Sequence, residues 1–104
     1  MKIEILPEGN LLIIDYENVR IFKDKNLEIS YESEESIEGT LLLDDQTLIV
    51  TRMGNKMELL NLQKKEVIFT THLNIEGVQY IKRLGNEILF VSKYGAMCMG
   101  FEYI

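Results

Sequence analysis

No tryptophan occurs in this chain, and it holds only one cysteine, one histidine and one proline. A single thiol, Cys98, closes no internal disulfide, and no Cys/His cluster has zinc-ligand spacing. A reducing cytoplasm is the expected setting. Long apolar runs are missing as well: Leu11 to Ile14 and Ile88 to Val91 are too short to cross a bilayer, and Glu4 and Pro7 interrupt the stretch a signal peptide would need. No membrane partner is expected. Phosphate cradles of the G-x-G-x-x-G or P-loop kind do not occur, so no nucleotide cofactor is implied.

What is present is an acidic chain of globular composition. Across 104 residues, 46% are hydrophobic and 27% charged, which suits one domain with an apolar core. The net charge of −6 is unevenly placed: residues 1–45 hold 12 acidic and 4 basic side chains, whereas residues 46–104 hold 5 acidic and 7 basic. An acidic first half repels phosphate, so nucleic acid is not an expected partner. The stretch ISYESEESIEG, Ile29 to Gly39, concentrates that charge in Glu32, Glu34, Glu35 and Glu38 without an intervening base.

Apolar residues recur mostly with a period of two. KIEIL alternates, TLIVTRM and EILFVSKY mix β-branched and aromatic residues, and turn residues interrupt them every five to nine positions. This predicts an all-β, antiparallel chain with strands near 2–6, 11–16, 19–23, 27–32, 39–44, 47–53, 56–62, 66–72, 87–94 and 97–103. Gly54-Asn55, Gly95-Ala96 and Pro7-Glu8-Gly9-Asn10 are the expected hairpin turns. Residues 74–84 carry apolar side chains at every third position, as a short helix would, but Gly77 disfavours a helix and a strand is the preferred reading.

The chain also resembles itself. Ile37-Glu38-Gly39 recurs as Ile75-Glu76-Gly77, and the segment from Asp45 follows the same pattern as that from Gly85, with Gly54 and Gly95 in matching places. Three units result, 3–36, 37–74 and 75–104, each with room for about four strands. Meandering units of this length resemble the blades of β-propellers, such as those of WD-repeat or kelch-type proteins. The resemblance lies in pattern alone: the Trp-Asp dipeptide and the Gly-His pair of WD blades are absent, and three units are fewer than the four to eight of a closed ring. A small barrel, a trefoil and a sandwich are the alternative architectures.

Candidate chemistries can be tested against these residues. Cys98 has no neighbouring cation to activate it and His72 ends a strand, so packing is expected of both rather than nucleophilic catalysis. Glu34-Glu35 and Asp44-Asp45 are adjacent carboxylates in turn-rich sequence, read as solvated, and neither sits in a calcium-binding loop. Met97, Cys98 and Met99 alternate in direction along a strand and do not converge on a metal. Of the aromatics Phe69, Tyr80, Phe90, Tyr94, Phe101 and Tyr103, most are expected in the core, with Tyr94 exposed beside Gly95. No catalytic residue, metal or cofactor is expected.

The remaining reading is a non-enzymatic protein-binding module. It would dock on a basic face of a partner protein through Glu32, Glu34, Glu35, Glu38, Asp44 and Asp45. A narrower form is an inhibitor of a nucleic-acid-processing protein, by analogy with immunity, anti-restriction and anti-CRISPR proteins, which share small size and acidity. The alternatives are an oligomeric small-molecule or glycan-binding module and a structural subunit. A homo-oligomer is a further expectation.

Overall fold

The computed structural model describes residues 2–6, 9–32, 35–44 and 46–100. Their regular structure consists of strands: β1 (Lys2–Ile5), β2 (Leu11–Ile14), β3 (Asn18–Lys23), β4 (Asn26–Glu32), β5 (Ile37–Leu42), β6 (Thr47–Arg52), β7 (Lys56–Asn61), β8 (Glu66–His72), β9 (Tyr80–Leu84), β10 (Glu87–Ser92) and β11 (Gly95–Gly100). They form three antiparallel sheets ordered β1-β2-β3-β4, β5-β6-β7-β8 and β9-β10-β11, none of them closed into a barrel. Every strand pairs with its neighbour in sequence, so the fold is all-β and built of local meanders. By contacts the chain divides into two compact units, Met1–Ile37 and Glu38–Ile104.

The first unit is the sheet β1 to β4. Alternation puts Leu12, Ile14, Val19 and Ile21 on one face, where all four are buried. The opposite face is also apolar, because Ile5, Leu11, Phe22 and Leu27 stand in register across the four strands. Ile5 is 77% exposed there and Leu27 54%. The β3–β4 hairpin turns on Asp24-Lys25, both at positive φ (50° and 68°), the backbone of a type I′ turn formed without glycine. Asp15 closes the β2–β3 connection: its Oδ1 accepts the N–H groups of Glu17 (3.1 Å) and Asn18 (2.8 Å), and Arg20 Nη1 donates to Oδ2 at 2.9 Å. These bonds, with the Arg20 charge, hold the Asp15 carboxyl below its ordinary value.

The second unit packs the sheet β5 to β8 on the sheet β9 to β11. Buried Ile49, Met57 and Leu59 of the former meet Ile88 and Phe90 of the latter, with Leu73 and Val78 from the connection between them. Strands β6 and β7 are buried on both faces, which is why TLIVTR and KMELLN read as continuous rather than alternating. Their second face carries Leu48, Val50 and Leu60 beside a buried ion pair, Arg52 Nε donating to Glu58 Oε1.

Both four-stranded sheets shift register in their last strand pair. Glu28 is the extra residue in β4 and Ile68 in β8. Residues 74–84 contain no helix: 80–84 form β9, and 74–79 are irregular. Gly54 occupies the β6–β7 connection with φ +87°, as expected. The β10–β11 hairpin differs from expectation. Ser92 pairs with Gly95, so the tip is Lys93-Tyr94 and Gly95 is already the first residue of β11. The Ser92 hydroxyl accepts the Tyr94 N–H at 3.1 Å, and the turn falls two residues earlier than Gly95-Ala96. The Pro7-Glu8 half of the first expected turn lies outside the described residues.

Candidate functional site

Residues 73–79 lead from β8 into β9, and their path is set by backbone bonds to the β6–β7 tip. Leu73 N–H donates to Asn55 O at 2.7 Å, Asn55 Nδ2 donates back to Leu73 O at 3.0 Å, and Gly77 N–H donates to Gly54 O at 2.9 Å. Gly77 makes this approach at φ +69°, a conformation that costs glycine nothing and other residues strain. On the far side, Thr51 Oγ1 donates to Val78 O at 2.8 Å beneath Gly39. A tip, a connecting loop and the start of β5 are thereby held together within one unit.

Between them opens a cleft of about 310 Å³ lined by Glu38, Gly54, Glu76, Gly77, Gln79, Lys93 and Tyr94. A β-carbon on Gly77 would lie 3.8 Å from Glu38 Oε2 and 3.9 Å from Tyr94 Cε2, so the carboxylate and the ring both come close to the loop at this glycine. Glu38 Oε2 is shut off from solvent and has no hydrogen-bond donor. Leaving a buried acceptor unmatched costs about 1–3 kcal/mol, and more for a charged one. Tyr94 is 69% exposed, and Lys93 Nζ stands 5.1 Å from its ring centroid. Lys93 forms an ion pair with neither glutamate.

The acidic residues singled out in the sequence do not gather at this site. Glu38 lines it. Asp44 lies beyond the other end of β5, six residues and roughly 20 Å away at strand rise. It is exposed, and its Oδ1 accepts the Gln46 N–H at 2.8 Å. Glu32 ends β4, and Glu35 is exposed just after it in the first unit. Glu34 and Asp45 lie outside the described residues. Glu76, Lys93 and Gln79 were not anticipated, although the recurrence of Ile-Glu-Gly marked Glu38 and Glu76 as a pair.

Other expectations are met in part. Phe90 is fully buried and Phe69 packs on the core, whereas Tyr80 is 70% exposed; Phe101 and Tyr103 lie outside the described residues. Cys98 is exposed rather than packed inside, because Met97 and Met99 take the core-facing positions of β11 and alternation turns Cys98 outward. His72 is exposed at the end of β8. Among the described residues no group of three His, Cys, Asp or Glu side chains could hold a metal ion.

Comparison of the sequence with models of known protein families finds no match, and none is found among curated proteins. The functional reading therefore rests on the chain's own chemistry.

Proposed function

We propose that the chain is a non-enzymatic protein-binding module that docks on a basic surface of a partner protein. The observation that carries this reading is Glu38: it belongs to the acidic segment, lines an open cleft, and has one carboxylate oxygen that is buried without a donor. An anion kept in that state gains from a cation that arrives with a partner. Exposed Glu35 and Asp44 add long-range attraction while contributing little to folding. A basic surface of the kind that grips nucleic acid is the narrower target, which would make the module an inhibitor of such a protein. Blade-like construction from related units is the architectural side of the proposal, supported by the matching bulges in β4 and β8.

The test is affinity purification of the tagged chain from its native host, followed by mass spectrometry at two salt concentrations. A basic protein recovered at low salt, reduced at high salt and lost when Glu32, Glu34, Glu35 and Glu38 become Gln, is the expected result. Recovery that is indifferent to those replacements and to salt overturns the reading.

A further inference from the structure

The cleft between Glu38, Glu76 and Tyr94 has the chemistry of a receptor for one kind of side chain. We propose that it takes a single arginine of the partner; this inference rests on the protein-binding reading above. Glu38 and Glu76 both line the space, and Glu38 has one carboxylate oxygen already stripped of water and left without a donor. Part of the desolvation that a binding cation would otherwise impose on Glu38 is therefore built into the folded state.

Shape and composition favour a guanidinium over an ammonium. The Glu38 carboxylate and the Tyr94 ring both approach Gly77, each just under 4 Å from the same hypothetical β-carbon. A planar guanidinium bonds a carboxylate along its edge while its face stacks on an aromatic ring, and one group thereby uses both walls. An ammonium is a point charge, and the Tyr94 ring already has one nearby in Lys93, at 5.1 Å. A volume of about 310 Å³ is at the lower end of the roughly 300–1,000 Å³ range of ligand sites, which suits one side chain rather than a larger molecule. Arginine displaces Lys93 from the ring and takes its place there, with the carboxylates as added partners.

The test is a titration of the intact ¹⁵N-labelled chain with N-acetyl-arginine amide, followed by amide shifts, with N-acetyl-lysine amide as the comparison. Saturable shifts at Gly54, Gly77, Gln79 and Tyr94 are expected, with lysine at least about tenfold weaker, a factor worth about 1.4 kcal/mol. Glu38→Gln and Tyr94→Ala should each weaken arginine binding by about tenfold, whereas Lys93→Ala should strengthen it by removing the internal competitor. Tyr94 is exposed, so its replacement leaves folding intact and keeps the test valid even where Glu38→Gln perturbs the loop. Absence of saturable shifts, equal binding of lysine, or shifts that survive both replacements overturns the proposal. Capture of a basic partner that depends on the acidic residues, with no arginine binding in the cleft, overturns the receptor and leaves the module standing. Arginine binding with no basic partner captured does the reverse.

Discussion

Gly39 and Thr51 meet so closely that a β-carbon on Gly39 would lie 2.8 Å from the Thr51 Oγ1. The same carbon would stand 3.0 Å from Val78 O and 3.2 Å from the carbonyl carbon of Gln79. Two of these three atoms are backbone and cannot swing aside. The glycine in β5 thus lets the connection before β9 lie against the sheet, while Thr51 donates to Val78 O through the gap. Gly39→Ala should cost about 1–3 kcal/mol, the usual range for forced overpacking, measured by urea denaturation. Thr51→Val should cost about 1 kcal/mol by removing one donor from Val78 O.

The buried pair Arg52–Glu58 predicts a pattern rather than a single value. Arg52 is 2% exposed and Glu58 8%, so removing either charge alone leaves the other in a dry environment. Glu58→Leu or Arg52→Met singly should lower stability by about 3–5 kcal/mol. The double replacement should recover most of that loss, because an apolar pair incurs no charge desolvation. A double replacement as damaging as the sum of the two single ones would contradict this account.

Asp15 makes stability depend on acid. Its carboxyl titrates below the ordinary 3.8 because the Asn18 and Glu17 N–H groups and the Arg20 charge favour the ionised form. The unfolded chain then binds the proton more readily than the folded one. The stabilisation it contributes is complete above 3.8 and is lost as pH falls through the lower folded value. Asp15→Asn should flatten that part of the stability profile while keeping an acceptor for the two N–H groups. Asp15→Ala should remove the acceptor too and cost about 1 kcal/mol more at neutral pH.

Asn55 should matter to the cleft more than to the core. Its backbone and side chain both engage Leu73, and its neighbour Gly54 accepts from Gly77. Asn55→Ala should faster expose the Leu73 and Gly77 amides to hydrogen exchange, while amides in β10 keep their protection. Equal acceleration everywhere would mean that the tip governs global unfolding instead.

For the exposed carboxylates the expected change is kinetic. Replacing Glu35 by Gln and Asp44 by Asn should leave thermal stability almost unchanged, since Asn retains the acceptor used by Gln46. Partner association should slow, most at low salt, because exposed charges are screened over about 10 Å at 0.1 M. Replacing Lys64, Lys65, Lys82 and Arg83 by Gln is the matched control. A control that slows association while the acidic replacements do nothing would refute docking through the acidic surface.

Strand order and strand positions were legible in the sequence because every pairing here is between neighbours in the chain. Period-two alternation and turn residues act over a few positions, and a meander asks for nothing longer. The miss within this layer is also local: Ser92 pairs with Gly95 and places the last hairpin tip ahead of that glycine. The cleft was another matter. Glu38 and Glu76 come together across 38 positions because Gly39 admits the loop, Gly77 adopts a positive φ and the Gly54-Asn55 tip binds it. No periodicity encodes that convergence, and the repeated Ile-Glu-Gly was its only trace. Burial of Arg52 and Glu58, and exposure of Cys98, depend in the same way on what packs against each face of a strand. Alternation decides which residues share a face; only tertiary packing decides which face is dry.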